Sequence, residues 1–283
     1  MPVTVGVDIG GSATKIIGFM DGKLSLEPML IHASDPLTSL FGAFGKFITV
    51  NNLKLNDVES VMITGLGAAF VTEPIYGIKT AKVDEFLAIG LGGLYLSKLS
   101  KALIVSMGTG TAFVSAENGN VRHMGGSGVG GGTLTGLASK LVGAQEMEFL
   151  LKLAEKGNIN HVDLSVRDIT SKKMTLGEDV TVSNFGKISD MASGEDIALG
   201  LLNMAFQTIG VMAYFLSLVT NDKNVVLTGK LSTFTIMKEL MDMIAELHGI
   251  SFIIPENSEF ATATGAALAL LQNREYVFLE GAV

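Results

Sequence analysis

Cysteine is absent from all 283 residues, which removes disulfides, thiolate zinc sites and cysteine nucleophiles together. A basic excess is absent too: 20 Lys and Arg stand against 28 Asp and Glu, a net charge of −8. Non-specific binding to nucleic acid or to an acidic membrane surface is therefore not expected. A phosphorylated small molecule stays compatible with that charge, because loop amides and a metal ion neutralise phosphate locally. No basic stretch followed by an apolar core opens the chain, so no secretory signal is read and a cytoplasmic location is expected. Nor is there a GxxxxGK[ST] loop, a GxGxxG after the first strand or an HExxH helix. His32, His161 and His248 are scattered and read as surface or structural groups. Only 17% of residues are charged and 48% are hydrophobic, which assures a sizeable core in one large domain or two.

The chain is organised around Val5 to Ile17, VGVDIGGSATKII. The apolar start predicts a buried strand ending on Asp8. Gly10 and Gly11 allow a tight turn, Ser12 and Thr14 offer hydroxyls, and Lys15 opens a second apolar run. Consecutive amides and a carboxylate suit a phosphorylated ligand with magnesium, whereas an ordinary hairpin with a glycine turn is the plain alternative. A second strand–turn–strand follows at Ala102 to Ser106, with Met107 to Thr111 (MGTGT) as its turn. Asn118–Gly119 then predicts a hairpin. Gly65–Gly67 and the dense run Gly125 to Gly132 complete four glycine loops at strand ends, the longest leading into a helix N-terminus that favours anions. The repetition suggests two similar α/β lobes facing each other across a cleft.

Further helices are expected from Asp35–Pro36 to Val50, over Ala81 to Leu99, from Thr133 to Val142, around Gln145 to Lys156, from Ser232 to His248 and over Ala261 to Leu271. Leu24 to Ile31, Val58 to Thr64, Val225 to Leu227 and Phe252 to Pro255 read as strands, and Asp163 to Lys187 as a polar stretch. Ile197 to Val219 carries no formal charge over 23 residues and is long enough to span a bilayer. Asn203, Gln207 and Thr208 interrupt it and no Lys/Arg cluster flanks it, so a helix buried at a domain or subunit interface is the preferred reading.

DIGGSATK (Asp8 to Lys15), MGTGT, GGSGVGGGTLTGL (Gly125 to Leu137) and TGK (Thr228 to Lys230) together resemble the acetate and sugar kinase/Hsp70/actin superfamily. With VDEF (Val83 to Phe86), DLSVRDI (Asp163 to Ile169), TVSNFGK (Thr181 to Lys187) and ENSEFATATGA (Glu256 to Ala266), the set is similar to the type II, eukaryotic-like pantothenate kinases over nearly the whole chain. The resemblance implies a two-lobed actin-like ATPase fold, with duplicated ribonuclease H-like lobes and the nucleotide between them. Residues 1–99 would form the first lobe and 100–283 the second.

The same resemblance implies Mg-ATP-dependent phosphorylation of pantothenate, the first step toward coenzyme A, by a homodimer joined through the 197–219 helix. Gly10, Gly11, Ser12, Ala13, Thr14 and Lys15 would hold phosphates, Asp8 would orient Mg2+, and Thr109 would contact phosphate. Gly131, Gly132 and Thr133 would meet the nucleotide, with Lys230 near the adenosine. Glu85 would be the general base; without the family, it is an acid in a helix's first turn. Two departures stand out: His123, preceded by Arg122, occupies a position where the family usually carries Arg, and Leu87 replaces a common acid. A kinase of the same fold acting on a sugar or another small alcohol, and a degenerate nucleotide-binding regulator, remain open alternatives.

Overall fold

The computed structural model describes residues 2–32, 35–170 and 177–280. Strand β1 (Val3–Ile9) returns antiparallel as β2 (Thr14–Met20), and the short β3 (Lys23–Leu24) and β4 (Met29–Ile31) both pair with β2. Helix α1 (Pro36–Val50) is capped by the Asp35 carboxylate, which accepts from Thr38 N–H, and has proline in its first turn. It buries Leu40, Phe44 and Phe47 against β1 and β2. Strands β5 (Val58–Thr64) and β6 (Thr80–Lys82) extend the sheet in parallel, and α2 (Glu85–Ser97) follows.

The second half repeats the plan. A hairpin of β7 (Lys101–Met107) and β8 (Thr111–Glu117) continues into β9 (Asn120–Ser127) through Asn118 and Gly119, both at positive φ as a two-residue hairpin turn demands. Then come α3 (Gly131–Leu141), α4 (Met147–Ala154), a small ribbon of β10 (Leu164–Ser165) and β11 (Thr181–Ser183), and, between those strands in sequence, α5 (Val166–Ile169). Residues 171–176 of the polar stretch lie outside the described residues. The long α6 (Gly194–Thr220) precedes β12 (Asn224–Thr228), α7 (Thr235–His248), β13 (Ser251–Ile253), α8 (Ala261–Leu271) and β14 (Val277–Phe278).

The two large sheets run β14-β6-β5-β1-β2-β3 and β13-β12-β7-β8-β9. Each thus contains a hairpin whose first strand has a parallel neighbour from later in the chain. The chain does not divide cleanly by position, however: α8 packs on β1, and β14 pairs with β6 of the first sheet. Helix α6 is by length and hydropathy able to cross a membrane, but half of its most apolar stretch is buried inside the protein. It serves as the centre of the second lobe's core, with Leu202, Phe206 and Ile209 fully enclosed.

Several expected boundaries move, three of them because a strand is added, broken or lengthened. The helix expected from Ala81 starts only at Glu85, because residues 80–82 add a strand to β5 and Asp84 caps the helix by accepting from Leu87 N–H. The run Leu24 to Ile31 breaks into two short strands on β2. Gly125 to Ser127 belong to β9, so the glycine-dense loop shortens to Gly128–Gly130.

Helix α2 joins the two sheets. Ala88 and Leu91 pack with Ile17, Phe19 and Met62 of the first sheet, while Ile89 and Leu94 pack with Ile104, Val114 and Val226 of the second. It crosses α8 backbone to backbone: a Cβ on Gly92 would overlap the Ala261 carbonyl, and one on Gly265 the Ala88 carbonyl. Replacing Gly92 or Gly265 by Ala is therefore expected to lower stability by about 1–3 kcal/mol in denaturant unfolding. Gly136→Ala, in α3 with open space around its Cα, should be neutral or stabilise by about 0.5–1 kcal/mol.

Candidate active site

The β1–β2 hairpin sets Asp8 directly opposite Lys15. Directly opposed side chains share a sheet face, and Lys15 Nζ lies 3.2 Å from Asp8 Oδ2, both groups largely buried. The turn between the strands is held by Gly10 N–H donating to the Ala13 carbonyl at 3.0 Å. The N–H groups of Gly11, Ser12 and Ala13 have no partner among the described residues, leaving a run of donors at the end of a buried strand. His32 supports this turn from outside, with Nδ1 3.1 Å from the Ser12 carbonyl oxygen. Gly65 and Gly67 pack behind it: a Cβ on either would press on Ile9, and on Gly65 also on Asp8. That third glycine loop is thus a packing surface, though Leu66 between them reaches the cleft.

The β7–β8 turn faces the first across the cleft, with Gly11 set close to Thr109 Oγ1. Its carbonyls are already engaged, since Gly108 and Thr109 accept from Gly131 and Gly132 N–H at 2.8 and 2.9 Å. The N-terminus of α3 is consequently capped by the neighbouring turn, and those two glycines offer the cleft close backbone approach rather than free amides. Both line the cleft, whereas Thr133 does not; its Oγ1 donates to the Gly128 carbonyl and accepts from Gly130 N–H. Thr135, one turn further, lines the cleft instead. Thr14 is also turned away, its buried hydroxyl accepting from Ser39.

Between the lobes these elements enclose a cleft of about 1020 Å³. Glu85 enters it from the first residue of α2. Desolvation raises its pKa above the ordinary 4.5, the negative charges of Asp8 and Asp84 add to this, and Lys15 opposes it. A helix N-terminus alone would do the opposite, and the capping duty falls to Asp84. Glu85 is therefore a half-buried carboxyl with no hydrogen bond or ion pair among the described residues, beside a second carboxylate. Next to it, Phe86 stacks on His123 of β9, ring centroids 3.7 Å apart and planes at 12°. Arg122 is exposed and absent from the cleft lining, as strand alternation requires. Lys230 meets Glu259, Nζ to Oε2 3.3 Å, and Leu231, Phe234 and Gln145 to Glu148 also line the cleft.

The Fumble family model matches residues 97–248. A type II pantothenate kinase of Oceanobacillus iheyensis is 30% identical over 219 residues, 74% of this chain and 77% of that protein. This chain belongs to the type II pantothenate kinase family. The family makes it a kinase. The corresponding Staphylococcus aureus enzyme is 26% identical over 93% of this chain and 97% of its own length. Among solved structures, the activator of 2-hydroxyisocaproyl-CoA dehydratase from Clostridium difficile superposes with a TM-score of 0.70 at 18% identity, covering 96% of this chain and 95% of that one. The fold is the two-lobed actin-like ATPase fold.

Thr14 and Thr133 are drawn into the scaffold, and Arg122 faces away. The cleft also contains Phe86 and Thr135, which lie within the quoted motifs but have no role assigned there, and His32 and Gln145 to Glu148, which no motif contains. Because Glu85 has its folded pKa raised, its ionised form costs stability above that pKa, and the cost disappears below 4.5, where the unfolded chain is protonated too. Glu85→Gln should accordingly melt higher than the native protein at pH 7, with the difference closing in melts taken toward and below pH 4.5.

Proposed function

We propose that this kinase transfers the γ-phosphoryl group of ATP to the primary hydroxyl of pantothenate, making 4′-phosphopantothenate in the cytoplasm. The observation that carries this reading is Glu85, a half-buried carboxyl with a raised pKa, poised in the cleft opposite two amide-bearing turns. Free amides of Gly11, Ser12 and Ala13, with Lys15 and Thr109, would take the phosphates, and Gly131, Gly132 and Lys230 the nucleoside end. Glu85 accepts the hydroxyl proton as the oxygen bonds to the γ-phosphorus, and the bond to the β–γ bridging oxygen breaks with its electron pair leaving on ADP. A carboxyl whose pKa is lifted toward neutrality is better matched to that proton than an ordinary one. His123, held flat by Phe86, would hydrogen-bond the acceptor.

No group of three or more His, Asp or Glu suited to a metal occurs among the described residues. Magnesium bound to nucleotide phosphates needs only one or two carboxylates, and Asp8, whose negative charge already raises the Glu85 pKa, fits that need. The ion would supply charge neutralisation on the phosphates, and most of the catalysis is positioning of this kind. A sugar or another small alcohol is the competing acceptor, favoured by His123 standing where the family usually carries Arg.

Coupled ADP release with Mg-ATP decides between them. Turnover is expected with pantothenate and not with a panel of sugars, and Glu85→Gln should reduce it by about 10²–10⁴-fold. Turnover on a sugar alone would discard pantothenate and keep the kinase, and ATP binding without transfer to any alcohol would favour a regulator.

We further propose a homodimer through α6, whose last turns leave Phe215, Leu218 and Val219 exposed at 58%, 62% and 71%. Sedimentation velocity should show a dimer that Leu218→Glu shifts toward monomer, because that change sets a charge on an apolar contact.

A further inference from the structure

The second lobe holds another cavity, of about 760 Å³, between α4, α6, β11 and the start of α7. None of the residues assigned to phosphoryl transfer lines it. Leu151, Leu199, Leu240 and Met243 form apolar walls, and the floor is polar. Behind that floor, and not itself lining the cavity, Asp163, buried to 3% exposure, accepts from Phe185 N–H at 2.8 Å, Asn184 Nδ2 at 3.1 Å and Asn203 Nδ2 at 2.6 Å. Thr181 Oγ1 accepts from Gln207 Nε2 at 3.0 Å.

Asn203 is the informative member. It retains 3% exposure, yet it lines the cavity. A carboxylate only accepts, so the amide's Nδ2 must face Asp163 and its Oδ1 must face away. That Oδ1 has no partner among the described residues, and it is not among the fully enclosed unpartnered atoms. It therefore opens onto the cavity as an unfilled acceptor. Leaving such a group unpaired in a protein interior is costly unless something donates to it.

The charges lining the cavity are of one sign. Glu155, Asp179 and Glu239 stand on it, and no Lys, Arg or His among the described residues lines it. Asp179 is engaged by Arg167; Glu155 and Glu239 are exposed and in no ion pair among the described residues. The acceptor at the floor, the apolar walls and the unpaired carboxylates at the edge favour a cation that carries N–H donors over a phosphate or a carboxylic acid, although the start of α7, at Thr235 and Ile236, also lines the cavity.

We infer that this cavity is a second binding site, taking a small organic ammonium with an apolar body. The ammonium donates to Asn203 Oδ1 and its charge is balanced by Glu155 and Glu239, while the apolar part lies against Leu199, Leu240 and Met243. Phe234 connects the site to catalysis, because it lines both this cavity and the interlobe cleft beside Lys230. A ligand behind that ring keeps it from withdrawing from the cleft. Nucleotide and ammonium then strengthen each other's binding by the same factor. The site does not depend on which alcohol the kinase phosphorylates.

Isothermal titration of the full chain with 2-phenylethylammonium chloride tests this, with 3-phenylpropionate as the anionic counterpart. One ammonium should bind per chain at millimolar concentration or below, the anion should not, and a saturating non-hydrolysable ATP analogue should tighten rather than abolish binding. The double variant Glu155→Gln/Glu239→Gln, whose two positions are exposed and outside the core, should weaken it by about fivefold or more. Filling the space with Leu240→Trp should remove it while the nucleotide still binds. No ammonium binding, equal binding of the anion, loss of binding to the ATP analogue (which would place the ammonium among the acids of the cleft), or an undiminished affinity in both variants would each overturn the inference.

Discussion

The site depends on one close packing, the backbone-to-backbone crossing of α2 and α8. It exists because Ala88, Gly92, Ala261 and Gly265 present almost no side chain where the helices meet. Helix α8 also lies on β1, where a Cβ on Gly6 would overlap the Ala263 carbonyl. Asp8 lies one residue before the end of β1 and Glu85 opens α2, so these two carboxylates are fixed relative to each other through α8. Dispersion contacts fall off steeply with small gaps, and a crossing this close leaves little freedom to either helix. The same α2 turns its other face, through Ile89 and Leu94, to the second sheet, which brings the β7–β8 turn opposite the first.

That rigidity explains how the protein maintains an unfavourable charge arrangement. Asp8 has Lys15 as a partner at 3.2 Å, whereas Glu85 has none and is desolvated beside it. Isolated in solution, such a pair would separate or bind a counter-ion; on a strand and a helix locked together by glycine contacts through α8 it cannot separate. Meanwhile the amides around the carboxylates divide into two sets. Those at the α3 N-terminus are consumed in joining the second turn to its helix, and those of Gly11 to Ala13 stay free. The first turn thus offers its amides beside Lys15, and the Thr109 and Gly110 N–H groups of the second turn likewise have no partner among the described residues.

Much of this was legible in the residues. The alternation of apolar runs with glycine turns located both hairpins, and Asn118–Gly119 located the third turn, because these signals are local. The order of motifs gave the lobes and the cleft. What escaped depended on tertiary partners. Thr14 and Thr133 look like ligand hydroxyls in sequence but find Ser39 and Gly128 in the fold. Gly65 and Gly67 look like a phosphate turn but leave room for Ile9. The strand at residues 80–82 is too short to show periodicity, and only pairing with β5 creates it. The return of α8 and β14 to the first sheet is likewise a long-range event, invisible to any window along the chain.

The aromatic pair beside Glu85 follows from the same geometry. Phe86 is carried by α2 and His123 by β9, so their stacking at 3.7 Å spans two elements that α2 itself holds together through Gly90 and Val121. Among the described residues no arginine lines the cleft, and its two lysines are paired with Asp8 and Glu259. Fixed positive charge in the cleft is therefore confined to Lys15 at the first hairpin and Lys230 beside Leu231. The wall beside Glu85 is instead an imidazole edge and an aromatic face, groups that select through hydrogen bonding and shape. A guanidinium in the place of His123 would supply a permanent charge and a fork of donors; what an imidazole offers depends on where its hydrogen-bonding atoms lie, which is why the seat that Phe86 gives the ring matters as much as the ring itself.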